Sequence, residues 1–170
     1  MVHEDEDAEF DEFFRATWAR MFRTAYGVAG DRATAEDALQ SAYAKAFASW
    51  GRVRAAGRPE AYVRRMVVNE VLDVRRKGWW RRERPLHDER PPDAASPEVS
   101  STERDVVWRA VLSLPPRQRA VLVLRYYEDL SEADIAETLG VTRGTVKSQA
   151  SAALAALRAT HLSDLKGEHS

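Results

Sequence analysis

Cysteine is absent from all 170 residues, which excludes disulfides, thiolate zinc sites and thiol redox switches. Histidine is scarce. His3, His87, His161 and His169 are scattered without metal-ligand spacing, and they read as surface or tail residues. No apolar run reaches the roughly 18 residues that a membrane span requires. The opening stretch is acidic where a secretory signal would be basic, so the expectation is a cytoplasmic protein with no membrane contact. Paired carboxylates, a Cys/His pair and a phosphate-cradling glycine loop are missing as well, because Gly51 and Gly57 are isolated. Neither a catalytic residue, a metal nor a cofactor is therefore expected. No segment shows the period-two alternation of a strand, which leaves an all-α fold.

What is present centres on residues 130–148. Ser131 is a cap for one helix with Asp134 at its third position, and Leu130 can staple onto Ile135. Thr142 repeats the device with Thr145, and Val141 can fold back on Val146. Gly140 lies between the two helices, where a tight turn needs the left-handed conformation. Ala136 falls where the helices would cross, with Ile135, Leu139 and Val146 filling the wedge. The pattern predicts a helix-turn-helix whose second helix turns Thr145, Lys147, Ser148 and Ser151 outward. Short hydroxyls and a lysine on such a face can meet phosphates and base edges in a major groove.

The net charge of -1 conceals segregation. Residues 4–12 are strongly acidic, whereas 52–84 carry eleven arginines and lysines against Glu60, Glu70, Asp73 and Glu83. Such asymmetry predicts a polyanion partner better than the total does. Along the chain, Phe10, Phe13, Phe14, Trp18, Met21, Phe22 and Tyr26 recur at helical spacing and predict a helix from Asp7 to about Gly27, broken by Gly27 and Gly30. A second helix is expected from Ala33 to Trp50, with Ala38, Leu39, Ala42, Tyr43, Ala46, Phe47 and Trp50 as its apolar stripe. A Gly/Arg-rich break from Gly51 to Arg58 follows. Pro59 then opens a third helix running to about Lys77, with Arg64, Arg65, Asn69, Asp73 and Arg76 at least partly outward. Residues 81–100, Arg-rich then Pro/Asp/Ser-rich, read as a flexible linker. A helix from Ser101 or Thr102 ends before Leu114-Pro115-Pro116, and another begins at those prolines and leads into the helix-turn-helix. The expected organisation is two small helical domains, 1–80 and 101–170, joined by the 81–100 linker.

Three stretches in this order, 35–47, 61–76 and Leu114-Pro115-Pro116-Arg117-Gln118-Arg119-Ala120-Val121-Leu122 leading into the helix-turn-helix, resemble the extracytoplasmic-function group of bacterial sigma factors. The run Lys147-Ser148-Gln149-Ala150-Ser151 is most similar to an actinobacterial branch. The resemblance implies that the first domain binds the clamp helices of the RNA polymerase β′ subunit and opens the -10 promoter element. It implies that the second reads the -35 element and contacts the β flap. It places Asp37, Gln40, Ser41 and Lys45 in core-polymerase binding. With the domains so divided, the residues' own chemistry puts Arg52, Arg54, Arg58, Arg64, Arg65, Asn69, Arg76, Trp79 and Trp80 on the -10 strand, and Arg143, Thr145, Lys147, Ser148 and Ser151 on the -35 duplex. An anti-sigma factor is a further partner that the resemblance admits. The sequence departs from the family pattern at Ser41, where an acid is usual, at Ala152 and Ala156, where basic residues are usual, and at the Trp79-Trp80 pair.

The residues support a strand-opening mechanism independently. Unstacking a base costs a few kcal/mol and has to be offset by a cationic surface and a place for the exposed base. The Gly51–Arg58 loop can shape a base pocket and sit against phosphates, Asn69 carries an amide that pairs with adenine edges, and Trp79-Trp80 reads either as a stacking site for a base or as a core or interface aromatic pair. Other readings stay open here: a duplex-binding helix-turn-helix regulator that works without polymerase, or a helical adaptor. Regulators of the first kind usually act as symmetric dimers, and the absence of a heptad seam favours a monomer.

Overall fold

The computed structural model describes residues 2–81 and 101–167, all helices and short turns. These fall into two compact units, with the division between His87 and Asp88. In the first, α1 (Val2–Ala29), α2 (Arg32–Ala48), a short α3 (Trp50–Ala55) and α4 (Pro59–Arg81) pack together, with α2 against both α1 and α4. In the second, α5 (Ser101–Leu112), α6 (Pro116–Leu122), α7 (Glu132–Leu139) and α8 (Arg143–Gly167) gather around α8.

The inner face of α2 is nearly all small: Ala35, Ala38, Ala42 and Ala46 are buried beside Leu39 and Tyr43. Helix separation follows the size of the contacting side chains, so α2 lets its neighbours close in from both sides. Met21, Ala25 and Val28 of α1 and Val63, Val67 and Val71 of α4 fill the remaining space with no exposure. Asp31 caps α2, its side chain accepting from the Thr34 amide at 2.8 Å.

Four expectations need correction. Helix α1 begins at Val2, five residues before the expected Asp7. Gly27 lies inside it and is buried; the break belongs to Gly30 alone, at φ +84°. The stretch from Gly51 to Arg58 is not an open loop, since α3 occupies most of it with Trp50 and Val53 buried underneath. Only Ala56 to Arg58 link it to α4, turning through Gly57 at φ +78°. Finally, Arg64 is buried, not outward. The linker expected at 81–100 lies, apart from Arg81, outside the described residues, as do the side chains of Trp79 and Trp80, whose backbone belongs to α4.

In the second unit, Leu114, Leu122 and Ala153 form a core with Leu154 and Leu157 packed on it. Arg119 is buried for a specific reason: its Nη1 donates to the carbonyls of Leu112 (3.1 Å) and Leu114 (2.9 Å), satisfying groups that the end of α5 leaves without helical partners. Helix α6 continues into a π turn over Val123–Tyr127, where the Glu128 amide reaches back five residues to Val123. That turn exposes Tyr126 while keeping Leu124 buried.

A buried polar contact in the first unit joins Thr17 to Tyr43, 2.6 Å apart. Thr17 Oγ1 already donates to the Phe13 carbonyl (2.8 Å), which leaves Tyr43 as the donor between them. Burial pushes the Tyr43 phenol up to about 12, with help from the Glu60 charge; the Thr17 hydroxyl opposes the rise only by turning from the Phe13 carbonyl to donate to the phenolate. A folded pKa raised above the unfolded value near 10 means that the stabilisation is complete below pH 10 and is lost as pH rises towards 12. We expect the urea stability of the wild type to drop across that window by on the order of 2 kcal/mol more than that of Tyr43→Phe. At pH 7 the variant should be less stable by about 1 kcal/mol for the missing hydrogen bond. Parallel alkaline declines of the two proteins would remove this assignment.

Candidate nucleic-acid interfaces

The turn of the helix-turn-helix is built as its residues dictate. Ser131 Oγ accepts from the Asp134 amide at 3.1 Å and donates to the Asp134 carboxylate at 2.9 Å. Thr142 Oγ1 accepts from the Thr145 amide at 3.1 Å. Gly140 takes φ +65°, and the Val141 amide returns to the Ala136 carbonyl at 3.0 Å. Ile135, Ala136, Leu139 and Val146 are all buried, so the wedge between the helices is apolar.

Helix α8 then has two sides. Val146, Ala150 and Ala153 are buried, whereas Arg143, Lys147, Ser148 and Ser151 are exposed and Thr145 is half-buried at the cap. Ala152 and Ala156 are exposed on this outer side, where they add no charge. Glu132 of α7 draws together Lys147 (3.8 Å) and Arg125 (3.9 Å). Sequence reasoning misses Arg125, which also lies over the Tyr126 ring at 5.8 Å. It sits within the π turn, and the wider turn shifts the helical phase from which its direction would be read.

On the first unit, Asp37, Gln40 and Lys45 are exposed and Ser41 is half-buried, all on the side of α2 away from its alanine stripe. Lys45 forms an ion pair with Glu70 of α4. A second surface combines α3 with α4. Arg52, Arg58, Arg65 and Arg76 are exposed, and Asn69, one helical turn after Arg65 on α4, is half-buried. Arg64 does not join this surface: its side chain is only 8% exposed and faces Glu60 at 3.8 Å, the carboxylate that Arg20 of α1 also holds at 3.1 Å. Arg54 is partly exposed, with its guanidinium on Glu9 (2.8 Å) and Glu6 (3.2 Å) of α1.

The sequence matches the family described as Sigma-70 region 2 over residues 13–81 and that described as Sigma-70, region 4 over residues 104–157. It is 34% identical to an RNA polymerase sigma-E factor of Streptomyces antibioticus, covering 88% of this chain and 83% of that one. To the ECF RNA polymerase sigma factor SigM of Mycobacterium tuberculosis it is also 34% identical, over 91% and 84% of the two chains. Among solved structures it is similar to a chain in the co-crystal of the sigma factor RpoE with the anti-sigma factor NepR from Bartonella quintana. The TM-score is 0.70 over 89% of this chain and 96% of that one, and at 20% identity the likeness concerns the fold.

Three substitutions test this geometry through stability alone. A Cβ on Gly140 meets nothing within 4 Å, so Gly140→Ala should cost about 1 kcal/mol through backbone strain without a clash. Arg64→Ala should destabilise by about 1–2 kcal/mol, since it removes a buried side chain, whereas exposed Arg65→Ala should stay within about 0.5 kcal/mol. Urea unfolding followed by circular dichroism distinguishes them; equal effects at 64 and 65 would contradict the burial.

Proposed function

The chain belongs to the extracytoplasmic-function group of bacterial RNA polymerase sigma factors and directs promoter-specific transcription initiation, and from this we propose how its two units divide the work. The first unit binds core polymerase and holds the opened -10 strand. The second reads the -35 duplex through α8. The observation that carries this reading is the two-sided construction of α8, apolar toward its own unit and polar toward solvent over its first three turns.

Within the first unit, the exposed face of α2 with Asp37, Gln40, Ser41 and Lys45 meets the β′ clamp helices. The α3–α4 surface meets DNA, with Arg52, Arg58, Arg65 and Arg76 on phosphates and Asn69 on a base edge. Trp79 and Trp80, at the end of the same helix, are the stacking candidates. Arg64 has a different task in this scheme, since it is buried against Glu60, the carboxylate through which Arg20 ties α1 to α4, and it leaves the DNA contacts to its neighbours. In the second unit, Lys147 and Arg143 take phosphates while Thr145, Ser148 and Ser151 approach the groove. The same unit meets the β flap, and an anti-sigma factor acts as a regulatory partner. The protein works in the cytoplasm, where its polymerase is.

The division of labour gives distinct expected outcomes. Asp37→Arg should weaken competition for core polymerase at least several-fold while circular dichroism stays unchanged. In run-off transcription with core polymerase, Arg65→Ala should lower activity on all promoters and flatten the salt dependence, as loss of one phosphate contact does. Asn69→Ala should instead relax base preference in the -10 element. A uniform loss for both would reject the separation of positioning from base readout.

A further inference from the structure

The acidic start of the chain and its basic middle are brought into contact at Arg54. Arg54 of α3 is held by Glu6 and Glu9 of α1, which lie 48 and 45 residues away in sequence. Helix α1 reaches this position because its first turns are anchored by aromatic rings. Phe10 packs on Phe47 at 5.0 Å and edge-on against Trp50 at 5.3 Å, and Phe13 meets Trp50 at 5.1 Å. Glu6 is one turn before Phe10 and Glu9 is its neighbour, so the ring that docks the helix also aims both carboxylates. A cleft beside them runs between His3, Glu6 and Asp7 on one wall and Phe47, Trp50 and Arg52 on the other. The opening of the α3 surface is thus walled by carboxylates.

Such an arrangement opposes the ligand assigned to that surface. A phosphate approaching Arg54 has to displace two carboxylates already at hydrogen-bond distance, and one approaching Arg52 passes Asp7. Separations this far below the Debye length of about 8–10 Å leave the repulsion largely unscreened. The ion pairs are nonetheless half-exposed, and pairs of that kind are weak enough to exchange.

We propose that the first turns of α1 are an electrostatic guard on the -10 surface: Glu6 and Glu9 occupy Arg54 and repel a nucleic-acid backbone, so the free protein binds single strands only weakly. The inference rests on the reading that α3 and α4 contact the -10 strand. Arg54 is then a conditional contact, withheld in the free chain and available once the carboxylates let go.

The test is a mutant cycle on the full-length chain, measured as fluorescence anisotropy with a single-stranded -10 oligonucleotide across a salt series. Glu6→Gln with Glu9→Gln keeps side-chain size and should tighten binding about 3- to 10-fold at low salt. It should also steepen the salt slope by roughly 0.7, the increment for one added phosphate contact on a single strand. Arg54→Ala should change the wild type less than about 2-fold, yet abolish most of the gain in the Gln variant. An equal gain with and without Arg54 would reduce the effect to bulk charge and overturn the guard, as would no gain at all. Arg52→Ala and Arg58→Ala separate the two levels. If they weaken binding while the Gln variant fails to tighten it, only the guard is wrong; if they have no effect, the -10 reading fails and the guard falls with it. Thermal melts of each variant exclude loss of fold as the cause.

Discussion

The first unit depends on how α2 is clasped. Its buried stripe of alanines permits close approach on both sides, and Tyr43, the large polar side chain on that stripe, fixes the register by bonding Thr17 across to α1. Around Tyr43 the rings of Phe10, Phe13, Phe14 and Trp18 all lie within 6.4 Å. Rings in tilted and edge-on contact add specificity beyond the area that they bury. With α1 and α4 set in this way, the outer face of α2 and the α3–α4 surface have defined positions relative to each other. A polymerase contact and a DNA contact can therefore be served by one small rigid body.

The second unit solves a different problem with different means. Apart from α8 its helices are short, and isolated helices of this length are marginal in water, so the ends have to be satisfied individually. Ser131, Thr142, Gly140 and the buried Arg119 each complete a helix terminus. Only a small apolar core remains to be shared, and α8, being long, serves at once as the wall of that core and as the exposed polar face that we propose for DNA.

What the sequence reveals follows from the range of the forces involved. Caps and turns act over three or four residues, and Ser131, Gly140 and Thr142 announce the helix-turn-helix fully. The aromatic and alanine stripes are equally plain. Helix α3 escapes notice because Gly51 and its arginines resemble a loop, although Trp50 and Val53, three apart and both buried, carry the helical signal. Charge alone places Arg64 outside; Glu60 four residues earlier and the flanking Val63, Val67 and Val68 are the signs that it can be paired and covered. The Arg54 pairs have no local sign at all. Ion pairs across 45 and 48 residues exist only once α1 has docked, and the acidic run can be read for its sign but not for its target.

The alanines on the solvent side of α8 have an evolutionary consequence. Ala152 and Ala156 are exposed, and alanine is the best helix former, so these positions keep the helix intact while asking nothing of the core. A change there to arginine or lysine adds a cation without disturbing packing, and the reverse change removes one as harmlessly. On the proposed -35 reading of α8, promoter affinity can therefore drift in small steps, uncoupled from folding, and a regulon can widen or narrow by substitutions that purifying selection on stability never sees.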